Sequence, residues 1–171
     1  MDYAIPRFTE QSAKAIELCL RANLVLPALT LLYSAIDVVG FLDGQEQYAE
    51  RGSFIAWTEK YVADFLKRKG IKGIDLYSAR CGVLHTGQAP SALVDKGAAR
   101  ELWYEFNDNV HINIMTNTPQ PAVLIDVPEF VGEFKRGTEA WINAVHSDPL
   151  RLVDVEAKVR RAFRQGKFFI R

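Results

Sequence analysis

Cysteine is nearly absent: 171 residues hold only Cys19 and Cys81. Two thiols cannot form a disulfide scaffold or a structural zinc site. Both lie among apolar residues in helical patterns, so they read as small buried side chains in a reducing compartment. Net charge is absent too, with 21 basic residues against 21 acidic ones. No whole-molecule attraction to nucleic acid or anionic membrane is expected, and any such binding must come from a local patch. Repeats, low-complexity tracts and a linker are also missing, which with this length predicts one domain over residues 1–171. The start, Met1-Asp2-Tyr3-Ala4-Ile5-Pro6-Arg7, has neither the basic residues nor the apolar core of a secretory signal. The expectation is a cytoplasmic protein.

One long apolar run needs weighing. Residues 22–42 carry no charge except Asp37, over a length that could span a bilayer. Asn23, Pro27 and Asp37 interrupt it, no aromatic belt flanks it, and no second span follows. A central helix buried on most sides explains the same composition and is the reading adopted.

What is present is mostly helical periodicity. Ile16, Leu20 and Leu24 predict a first helix over 10–26, and Pro27 should break or restart it before a second over 28–42. The polar run 45–52 reads as a loop. Ser53 is the expected cap of a third helix carrying Phe54, Trp57, Tyr61, Val62 and Phe65. Asp75 should cap a short fourth helix, from Leu76 to about Thr86, stopped by Gly87 and Pro90. Alternation then replaces the helical period. Leu102, Tyr104 and Phe106, a turn at Asn107-Asp108-Asn109, then Val110, Ile112 and Ile114, and a third strand over 122–126 predict a small antiparallel sheet. Two helices follow, one with Phe130, Phe134, Trp141 and Val145, the other opened by Asp148-Pro149. The fold class is α+β, mostly α: a bundle core over 10–90, a β element over 98–127 and C-terminal helices over 128–165.

Familiar motifs of catalysis and binding are missing. There is no Cys-x-x-Cys, no His-Glu-x-x-His, no phosphate-cradling glycine loop and no Gly-x-Ser-x-Gly. Asp37 and Asp43 stand with no obvious partner carboxylates, so neither metal nor cofactor is expected. His111 in a strand pattern and His146 near a helix end read as surface or structural residues.

One helix remains, Asp75-Leu76-Tyr77-Ser78-Ala79-Arg80-Cys81-Gly82-Val83-Leu84-His85-Thr86-Gly87. An arginine followed five residues later by a histidine, on a helix in an all-helical half, resembles the Arg-x4-6-His motif of the HEPN superfamily. The apolar helix with Leu32-Tyr33-Ser34-Ala35-Ile36-Asp37 and the aromatic-rich helix over 54–61 are similar in order and spacing to bundle helices of that group. The resemblance implies a helical bundle, usually a homodimer, and in many members a metal-independent ribonuclease, some working as toxins with a protein antitoxin or in defence. It makes Arg80 and His85 the catalytic pair and RNA the substrate.

The chemistry suits those residue types. RNA cleavage without a metal needs a proton taken from the 2′-hydroxyl and another delivered to the leaving 5′-oxygen, and imidazole can do either. Charge gathering on the phosphate oxygens needs a permanent cation, which guanidinium supplies with a matching fork. At about 100° per residue, positions five apart diverge by roughly 140° around a helix. Either the backbone already unwinds at His85, just before Gly87, or a two-fold dimer brings the pairs of both chains into one cleft; the second fits the resemblance and is the reading adopted. In the competing reading, Arg80 pairs with Asp37 or another acid, and His85 is a partly buried residue at the edge of the Tyr77, Cys81 and Leu84 face. An inactive module that binds RNA, a nucleotide or a protein is the alternative function, and a plain assembly protein is a third.

A second feature is local charge. Lys158, Arg160, Arg161, Arg164, Lys167 and Arg171 alternate with Phe163, Phe168 and Phe169, a pattern that could track and stack on RNA. A solvated helix face explains it as well.

Overall fold

The computed structural model describes residues 4–45, 48–86, 92–107, 109–110 and 122–162. In chain order it runs α1 (Ala4–Arg21), α2 (Val25–Asp43), α3 (Arg51–Tyr61), α4 (Ala63–Lys69), α5 (Gly73–Thr86), α6 (Ala92–Asp95), β1 (Leu102–Phe106), β2 (Asn109–Val110), β3 (Val123–Asp126), α7 (Val127–His146) and α8 (Pro149–Ala162). Helices dominate, as the periodicity predicts.

The long apolar run is the centre of the molecule. Helix α2 touches α1, α3, α5, α7 and α8, and Leu29, Leu32, Tyr33, Ile36 and Val39 are wholly buried. It is long and apolar enough to cross a membrane by length and composition, yet neighbouring helices surround most of it. Gly40 permits one close approach: a Cβ there would sit 3.0 Å from the Ser53 carbonyl oxygen of α3. At the far end of α3, a Cβ at Gly137 of α7 would lie 2.9 Å from the Tyr61 carbonyl oxygen. Such contacts lock the helices at backbone distance.

Several boundaries differ from expectation. Helix α1 begins earlier than predicted and stops at Arg21, because Asn23 takes a left-handed conformation (φ 58°). The Leu24 N–H then returns to the Cys19 carbonyl at 2.8 Å, a helix-ending bond that cuts the apolar period short. Pro27 does not separate two helices. It lies in the first turn of α2, where a missing N–H costs nothing. Ser53 is not the cap of α3 but its third residue; its Oγ accepts from the Glu50 N–H and donates to the Glu50 carbonyl. The predicted third helix is two helices, bent at Val62. Asp75 falls inside α5, where its carboxylate accepts from the backbone N–H groups of Lys72 and Arg100.

The sheet is mixed, not antiparallel. Strand β1 pairs antiparallel with β2 but parallel with β3, in the order β2-β1-β3. Alternation reveals which residues face inward, and Leu102, Tyr104 and Phe106 do, but it carries no information on the direction of the partner. The expected extension of β2 through Ile112 and Ile114 lies outside the described residues. A buried contact between the Tyr33 and Tyr104 hydroxyls joins sheet to bundle; desolvation raises both phenols far above their usual value.

Candidate functional site

Helix α5 is placed by the bundle. Leu76, Ala79 and Val83 anchor it in the core, leaving Tyr77, Arg80, Cys81 and His85 at least partly open to solvent on its other side. Arg80 reaches across to α2. Its Nε donates to Asp37 Oδ2 at 2.8 Å and its Nη2 approaches the same oxygen at 2.7 Å. The remaining arm, Nη1, lies 3.4 Å from His85 Nε2.

This contact corrects the helical-wheel argument. The structure brings Arg80 and His85 together within one chain. Backbone directions five residues apart do diverge, but the long arginine stem bridges the gap once Asp37 fixes its head. A guanidinium has donors only, so in this contact the imidazole nitrogen facing it can act only as acceptor. The Nε2 lone pair of His85 is thus directed at the Arg80 guanidinium.

The ion pair is not simply favourable to both partners. Burial pushes the Asp37 carboxyl above the ordinary carboxylate value, although Arg80 and His85 pull it down. Burial also opposes the Arg80 charge, but Asp37 and Cys81 outweigh it and raise the guanidinium. The short contacts decide for an ionised pair at neutral pH, held at a desolvation cost. Tyr77 completes the group. Burial raises its hydroxyl, with the neighbouring Cys81 adding to the effect, and its ring has the Arg80 guanidinium carbon 5.9 Å from its centroid.

Of the described residues of the basic stripe, Lys158 alone is turned away from solvent. Lys158 is buried, and its ammonium donates to the Phe41 carbonyl at 3.3 Å and to that of Gly44, the residue that caps α2. It serves the helix terminus. Arg160 is exposed and 3.7 Å from Glu156 one turn back. Arg161 is exposed. Arg164, Lys167, Arg171 and the three phenylalanines lie outside the described residues, as does His111. His146 is exposed at the end of α7.

No protein-family model, curated protein or solved structure matches the chain. The functional reading therefore stands on geometry. Among the described residues no three of His, Cys, Asp and Glu gather into a metal-binding group. A groove of about 530 Å³ between α1 and α7 is lined by Thr9, Lys14, Glu17, Arg21, Lys135 and Thr138 among others. It shares no residue with α5, and its Glu17 and Lys135 neutralise each other at 2.7 Å. The Arg80–His85–Asp37 group is the better chemical candidate despite its shallower setting. Sequence reasoning missed Arg51, which falls in the run read as a loop, and treated Tyr77 only as part of an apolar face.

Proposed function

We propose that the chain is a HEPN-like, metal-independent RNA endonuclease of the cytoplasm, acting through Arg80 and His85. The supporting observation is the Nη1–Nε2 contact, which sets an imidazole lone pair next to a guanidinium already oriented by Asp37. As Arg80 Nη1 turns to the phosphate it releases His85 Nε2, whose freed lone pair takes the proton from the 2′-hydroxyl as that oxygen attacks phosphorus. Arg80 stabilises the negative charge on the phosphoryl oxygens. The 5′-oxygen leaves with a proton, and the strand ends in a 2′,3′-cyclic phosphate.

A base needs an acid opposite it, and each described chain places one imidazole at the site. A homodimer supplies the second. The exposed side of α2 favours this arrangement, since Leu31 is 38% exposed and Ser34 and Val38 are half-buried beside Asp37. A protein antitoxin or regulator would bind where it separates the two halves.

RNA incubated with the purified protein in EDTA should yield 2′,3′-cyclic phosphate ends, and His85→Ala should lower the rate at least a hundredfold. Cleavage that survives His85→Ala removes the assignment. The Asp37 contact favours a second reading, a non-catalytic module for RNA, a nucleotide or a protein, because a guanidinium engaged by a carboxylate has less charge to give a transition state. Binding without cleavage would select it.

A further inference from the structure

The charges around α5 do not balance where a polyanion would lie. Asp37 offsets Arg80, so the group so far described offers phosphate little net attraction. The missing cation is Arg51. Its guanidinium carbon lies 5.7 Å from the centroid of the Tyr77 ring, the same ring that Arg80 approaches at 5.9 Å. No ion pair joins it to a described acid. Helix stability does not call for it there either. Arg51 is the first residue of α3, where a cation opposes the helix dipole. The aromatic ring holds in place a charge that the backbone disfavours.

Position decides what this cation touches. Tyr77 and His85 are eight residues apart on one helix, about 12 Å along its axis. Arg80 contacts both the Tyr77 ring and His85 Nε2, whereas Arg51 contacts the ring at its own end of that chain of contacts. The row runs Arg51, Tyr77, Arg80, His85. We propose that Arg51 is a substrate-binding residue for a flanking phosphate of the same RNA strand, held for that purpose on the face of Tyr77. This rests on the nuclease reading for the identity of the strand, but its test does not depend on cleavage.

Binding of a fluorescent 2′-O-methyl oligoribonucleotide, which lacks the attacking hydroxyl, separates the two. Arg51→Gln should weaken binding about tenfold and reduce the slope of log affinity against log salt by about one, the loss of a single phosphate contact. Arg51→Lys should restore most of the slope. In cleavage, Arg51→Gln should raise KM on an oligonucleotide and leave kcat within about twofold, with no effect on a dinucleoside monophosphate, which has no flanking phosphate. Unchanged affinity and slope in Arg51→Gln overturn the proposal, and so does a loss of rate on the dinucleoside monophosphate. A wild type that binds no oligonucleotide overturns it together with the nuclease reading. A wild type that cleaves nothing, yet shows the Arg51-dependent slope, overturns only the nuclease reading.

Discussion

Asp37 does two jobs that pull against each other: it aims Arg80 and it is an acid in a mostly dry place. Its folded-state value is raised, chiefly by burial. Between the ordinary carboxylate value of about pH 4 and the raised one, the folded chain binds more proton than the unfolded chain. Stability from this group is therefore present at low pH and lost as pH rises through the folded value. Denaturation midpoints of wild type and Asp37→Asn should agree near pH 4 and separate toward neutrality, with the variant gaining. A variant that loses ground instead would show the ion pair outweighing burial. The same contact divides the catalytic pair. Arg80→Ala strands a half-buried carboxylate and should cost about 1–2 kcal/mol in urea unfolding, while His85→Ala, at an exposed residue, should unfold like the wild type. Loss of activity in Arg80→Ala must then be judged at a temperature where both are folded.

At the scale of elements, the helices were legible because apolar residues recur at helical steps, and their ends were not. Asn23 stops α1 by a backbone conformation that no period announces. The parallel pairing of β3 was illegible for a different reason, since direction depends on the path of the intervening chain. The site was half legible. Arg80 and His85 stand out by type and spacing, and Asp37 was an available partner, but a helical wheel ignores side-chain length. Lys158 was misread because a charge tally records sign and not direction. It faces the end of α2, where no basic residue of that helix's own last turn meets the carbonyls. Lys158→Ala should lower stability by about 1–2 kcal/mol, measured as a shift in denaturant midpoint at unchanged slope. Oligonucleotide affinity should not change.

Across the whole molecule, α2 is held by parts made at very different times. Helices α1, α3 and α5 lie close to it in the chain, whereas α7 and α8 begin only at Val127 and Pro149. Synthesis from the N-terminus therefore leaves one flank of the most apolar helix uncovered until the last quarter of the chain emerges. Arg151 then meets Asp43 at the end of α2, and Trp141 Nε1 donates to the same carboxylate at 3.0 Å. A chain ending at Asp126 should pellet or partition onto added vesicles, while the full chain stays in the supernatant. A truncated chain that stays dispersed would show the early helices to be sufficient cover. The sequence thus carries a hazard in time as well as a core in space: for as long as its last two helices are unmade, the nascent chain displays a segment that membrane-targeting machinery could take for its own cargo.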